Sequence, residues 1–151
     1  FGWAFNQSLD DSMLPSSLRS LTFGHQFTQK LDNPTLPPGL SRLTFGFGFN
    51  QSLARTRLPS ELQHLEFGES FNQKLDKTTL PGSLQSLTFG FDFNQSLDGV
   101  KLPSGLQHLA FGQQFNQKLD NTTLPSSLQS LRIQQKLNEI VGEIIVSNQR
   151  K

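Results

Sequence analysis

The stretch Leu80-Pro81-Gly82-Ser83-Leu84-Gln85-Ser86-Leu87-Thr88-Phe89-Gly90-Phe91-Asp92-Phe93-Asn94 has Leu at its first, fifth and eighth places and Phe at its tenth and fourteenth. It is one of six copies. Its Phe-Gly pair recurs as Phe1-Gly2, Phe23-Gly24, Phe45-Gly46, Phe67-Gly68, Phe89-Gly90 and Phe111-Gly112, always 22 residues apart. A fixed period of this length implies a stacked solenoid, not a globule closed around one central core.

Aligned, the copies give one unit: F-G-x-x-F-N-Q-[SK]-L-D-x-x-x-L-P-x-x-L-x-x-L-x. The second Phe column is Phe5, Phe27, Phe49, Phe71, Phe93 and Phe115, and Leu fills four more, as in Leu75, Leu80, Leu84 and Leu87. One 22-residue coil cannot close around its own apolar side chains, but stacked coils can, each column becoming a ladder. Burying one such side chain is worth roughly 1.5–3 kcal/mol, so six give on the order of 10 kcal/mol gross. Most of that is offset by ordering the backbone, and stability rests on stacking between neighbours.

The Leu84, Leu87, Phe89 run has the inward spacing of a short strand. Phe93 to Leu97 reads as a second extended stretch or a tight turn. The repeated Gly serves either a positive φ or a close approach of adjacent coils. Pro15, Pro37, Pro59, Pro81, Pro103 and Pro125 end one segment and set the next corner. The Asn and Gln columns (Asn72, Asn94, Asn116; Gln73, Gln95, Gln117) suit side-chain hydrogen-bond ladders, with Thr28 replacing one Asn.

The unit Leu-Pro-x-x-Leu-x-x-Leu-x-Phe-Gly-x-x-Phe-Asn, as in Leu80 to Asn94, resembles the FNIP repeat, a leucine-rich-repeat variant. The likeness spans about residues 1–132 in six tandem copies. After Phe-Asn the chain continues Gln-Ser-Leu or Gln-Lys-Leu where the family name implies Ile-Pro. The resemblance implies a solenoid used for protein interactions and brings no catalytic residues. The fold expected is mainly β: a right-handed, parallel-stranded, leucine-rich-repeat-like solenoid of about six coils over 1–132, with a C-terminal cap and tail over 133–151.

A longer period overlies the first. Ser8, Lys30, Ser52, Lys74, Ser96 and Lys118 alternate, and after Gly the chain alternates Trp3, Phe47, Phe91 with His25, Glu69, Gln113. This is the mark of a duplicated 44-residue pair; a surface row with a two-coil repeat is the functional alternative. At the C-terminus, Ile133, Leu137, Ile140, Val141, Ile144 and Ile145 fall at helical spacing, which predicts a capping helix. The chain starts in mid-repeat at Phe1, so the N-terminal end is expected to be covered by further repeats or another chain.

Composition narrows the function classes. A formal net charge of +1 over 151 residues, with no basic patch interleaved with aromatics, speaks against nucleic acid, and no apolar run approaches a membrane span. There is no Cys, and 12 of the 14 Phe lie in the two Phe columns, so the Phe excess is core. His25, His64 and His108 are the only histidines. His64 and His108 share a column two coils apart, roughly 9.6 Å at strand spacing, too far to expect a shared metal. The Asp column (Asp10, Asp32, Asp76, Asp98, Asp120, broken by Ala54) reads as turn chemistry, not calcium ligands. Asn6, Asn50, Asn94 and Asn121 fall in N-x-S/T sequons; three come from the repeat itself, which favours a structural Asn. No cofactor or metal site is expected, and no column combines a nucleophile, a base and an orienting group.

A non-enzymatic scaffold that binds another protein remains the first reading. Its candidate face is the outward strand positions Ser20, Thr22, Arg42, Thr44, His64, Glu66, Ser86, Thr88, His108, Ala110, Ser130 and Arg132. An accessory structural subunit packed within a larger assembly is the alternative. An ice- or surface-lattice binder is a remote third, since Glu66, Ala110 and Arg132 interrupt the Thr22, Thr44, Thr88 row.

Overall fold

The computed structural model describes residues 1–9, 14–31, 36–120, 122–137 and 140–147, with 135–137 and 140–147 described by backbone alone. Each copy of Leu-x-x-Leu-x-Phe supplies one short strand centred on its second Leu. The strands are β1 (Ser20–Thr22), β2 (Arg42–Thr44), β3 (His64–Glu66), β4 (Ser86–Thr88), β5 (His108–Phe111) and β6 (Ser130–Leu137). They lie side by side in chain order, all parallel, each residue facing the one 22 places on: Leu21↔Leu43↔Leu65↔Leu87↔Leu109↔Leu131. Counted strand to strand this makes about five turns, not six coils, because the first copy begins part-way round a turn.

Three tight turns bend the chain back to the next strand. In one coil the Phe71 N–H donates to the Gly68 carbonyl at 3.4 Å, Thr78 N–H to Leu75 at 2.9 Å, and Leu84 N–H to Pro81 at 3.1 Å. Pro fits the last corner because its fixed φ suits the turn and its missing N–H is not needed by the ladder. The Phe-Gly-x-x-Phe segment is thus itself a turn, and it brings the two Phe of a coil face to face. Phe89 and Phe93 stack at 3.8 Å between ring centroids; Phe93 stacks on Phe71 at 6.1 Å and on Phe115 at 6.2 Å in the adjacent coils. Phe and Leu ladders form one continuous core. The Leu that precedes Pro is the loosest column: Leu36 is buried, Leu58 and Leu102 are half-buried, and Leu124 is exposed.

Of the two readings of the repeated Gly, close approach is correct. A Cβ on Gly24, Gly46, Gly68, Gly90 or Gly112 would overlap the carbonyl of the Gly one coil before it. Gly99, in a different turn, is the described glycine with positive φ, at 77°.

The capping helix expected over Ile133 to Ile145 is not formed. β6 runs on to Leu137, and β7 (Ile140–Ser147) returns antiparallel along it, pairing Ile133 with Ile144 and Leu137 with Ile140. Two physical reasons favour the hairpin. Ile133, Ile140, Val141, Ile144, Ile145 and Val146 are β-branched and stiff, which suits a strand, and Gly142 weakens any helix. The edge of β5 also offers unpaired backbone groups that β6 takes up before a helix could begin.

Candidate functional site

The parallel register turns the outward strand positions into two straight columns flanking the buried Leu row. One is Ser20, Arg42, His64, Ser86, His108, Ser130; the other is Thr22, Thr44, Glu66, Thr88, Ala110, Arg132. All twelve side chains are exposed or half-buried. The period-2 alternation of a strand produces this: the central Leu points in, so its neighbours point out.

The chemistry of the surface is uneven along its length. Arg42 adjoins His64, and Ser86 separates His64 from His108. Burial, then the Arg42 charge and then His108, hold the His64 pKa below the usual imidazole value. Glu66 interrupts the Thr row between Thr44 and Thr88.

Next to this surface runs a second feature that the sequence showed only as an alternation. Trp3, His25 and Phe47 stack as a column, with centroids 4.0 Å and 4.6 Å apart. Trp3 is 66% exposed, Phe47 48% and Phe91 38%. Glu69 separates the last two, its carboxylate accepting the Phe91 N–H at 2.8 Å. The signal was present in the odd copies, where an aromatic residue follows Gly, but periodicity alone does not reveal that the even-copy His25 stacks between its neighbours.

The polar columns are occupied by structure. Asn50 Oδ1 accepts the Asn72 N–H at 2.9 Å and the Gln73 Nε2 at 3.0 Å, and Asn72 and Asn94 repeat the pattern. The sequon residues Asn6, Asn50 and Asn94 thus each carry a ladder bond; Asn121 lies outside the described residues. Asp76, Asp98 and Asp120 are exposed; Asp10 and Asp32 also lie outside the described residues. Among the described residues no three His, Cys, Asp or Glu side chains gather as a metal site, and no helix is long and apolar enough to cross a membrane.

A parallel solenoid with an invariant Leu row inside and a varied row outside is a leucine-rich-repeat-like repeat protein. The FNIP repeat family matches residues 5–48, 49–92 and 93–136, and the chain belongs to that family. Each match spans one 44-residue pair. Among solved structures the chain is similar to CroV588, described as having a novel circular LRR protein structure. The TM-score is 0.82 and the identity 44%, over 92% of this chain and 21% of that one. The chain therefore spans about a fifth of that protein's length. No curated protein gave a significant match.

Proposed function

We propose that the chain is a non-enzymatic scaffold that binds another protein through the exposed columns of its parallel sheet. The observation that carries this is a contrast between neighbouring columns. The buried row is Leu at all six strands, while the two flanking rows use Ser, Arg and His on one side and Thr, Glu, Ala and Arg on the other. A surface serving only solvation or a regular lattice has no need of this variety; a surface that reads a partner does. Arg42, His64 and Glu66 lie at its centre, where a partner's fit is decided. With a partner in hand, Arg42→Ala/His64→Ala/Glu66→Ala tests the face. Binding should weaken at least tenfold relative to wild type and to the remote exposed variant Lys30→Ala. Unchanged affinity of the triple variant would reject this surface.

A second reading is that the chain is an accessory structural subunit packed within a larger assembly. The similarity to about a fifth of a larger, circular repeat protein favours it. Size-exclusion chromatography of the 151 residues tests it, since a monodisperse monomer at all concentrations would count against dependence on a partner.

A further inference from the structure

Coil three departs from its sister copies in one short stretch, and every departure shifts charge in the same direction. Where five copies carry Asp, it has Ala54; the next residues are Arg55, Thr56 and Arg57. Position 55 is Asp, Asn, Lys, Gly or Asn elsewhere, and position 57 is Met, Thr, Thr, Lys or Thr. The copy thus gains two guanidinium groups and loses a carboxylate. The following coil places Lys77 in the column of Arg55, one coil away, so like charges neighbour each other along the stack. Such pairs are destabilising unless something anionic lies between them.

These residues share a cavity. An open groove of about 500 Å³ lies between coils three and four, with Arg55, Arg57 and Lys77 on its wall and Leu58 and Pro81 among its apolar lining. No acidic residue lines it. Among the described residues none of the three cations takes part in a hydrogen bond or ion pair; by contrast, Arg19 donates to the Gly39 carbonyl at 3.1 Å. Beyond Lys77, a smaller cavity continues to Lys101, with Asp76 on its wall. The groove shares no residue with the strand columns.

We propose that this groove binds a tetrahedral oxyanion, a phosphoryl or sulfo group carried by a ligand, held by Arg55, Arg57 and Lys77. Guanidinium forks match two oxygens of such a group at once, and Lys adds a point charge. Unpaired cations in a concave wall raise the local concentration of anions, and the groove volume admits the group together with a small apolar neighbour. Binding also relieves the Arg55–Lys77 repulsion, so the anion should stabilise the fold by mass action.

The test is titration with pyrophosphate, inorganic phosphate and inorganic sulfate at constant ionic strength, followed by calorimetry and by backbone amide shifts. Saturable binding is expected, with shifts clustered at 54–60, 77–82 and 99–101. Arg55→Ala/Arg57→Ala should weaken it at least tenfold while melting no lower than wild type. Ala54→Asp restores the residue found in the other five copies, so it should fold, and it should weaken binding several-fold by placing a carboxylate at the rim. Preference for phosphate and pyrophosphate over sulfate assigns a phosphoryl ligand; equal or stronger sulfate binding assigns a sulfo group. The proposal is overturned if chloride produces the same shifts, if the shifts spread over the whole basic surface, or if the double variant binds as wild type does.

Discussion

Gly46 lies directly against Gly24 of the preceding coil, so close that a Cβ on Gly46 would overlap the Gly24 carbonyl oxygen. The neighbour here is backbone, which cannot swing aside. The contact repeats from Gly24 to Gly112 and sets the coil-to-coil approach along one side of the stack. Gly46→Ala must therefore push two coils apart. It should cost about 1–3 kcal/mol or more, as overpacking does. Gly82 has open space at its Cβ position and no positive φ. Gly82→Ala should be neutral, or stabilising by up to about 1 kcal/mol through the unfolded chain. Paired denaturant melts check both; equal effects would refute close approach as the reason for the Gly column.

Phe91 and Phe93 are two residues apart and should respond in opposite ways. Phe93 is fully buried and stacks on Phe71, Phe89 and Phe115, while Phe91 is 38% exposed. Phe93→Ala should cost roughly 3–5 kcal/mol, and the loss should weaken both neighbouring coil interfaces. Phe91→Ala should cost under about 1 kcal/mol. Chemical denaturation of the two variants decides; a larger loss for Phe91→Ala would mean the inward and outward assignment is reversed.

The Asn ladder has one break. At the Asn6 step, Thr28 N–H and Gln29 Nε2 bond to Asn6 Oδ1, and beyond the break Asn72 and Gln73 bond to Asn50 in the same way. Between coils two and three, among the described residues, neither Asn50 nor Gln51 donates to Thr28, whose shorter side chain carries no amide. Thr28→Asn should complete the ladder and stabilise the chain by about 1 kcal/mol. Thermal melts should show a raised midpoint, and a lowered one would show that the break is structurally required.

His64 should make stability depend on pH. Burial, Arg42 and His108 hold its folded pKa below the usual value. The unfolded chain, with an ordinary imidazole pKa near 6.5, takes up the proton first. The His64 contribution is thus fully present above about 6.5 and is lost as pH falls through 6.5 towards the lower folded value. His64→Ser, which copies Ser86 beside it, should reduce the stability lost on going from neutral to mildly acidic pH. Denaturant melts across that range test this; an unchanged slope would show that His64 does not titrate differently in the fold.

The repeat unit determined most of this molecule on its own. Columns of Phe and Leu 22 residues apart specify a parallel stack, and strand alternation then puts Arg42, His64 and Glu66 outside and Leu43 and Leu65 inside. The same pattern is written six times, so each local preference is reinforced by its neighbours above and below. Where the repetition stops, only the tertiary structure decided. Ile133 to Ile145 have helical spacing, but Ile133 joins β6 on the β5 edge and a run of β-branched side chains pairs 133–137 with 140–144 as a hairpin. The choice between positive φ and close packing for the repeated Gly, the stacking of His25 between Trp3 and Phe47, and the shared groove of Arg55, Arg57 and Lys77 all depend on contacts between coils. A period states which residues share a column; how closely the columns approach is set by the packed chain.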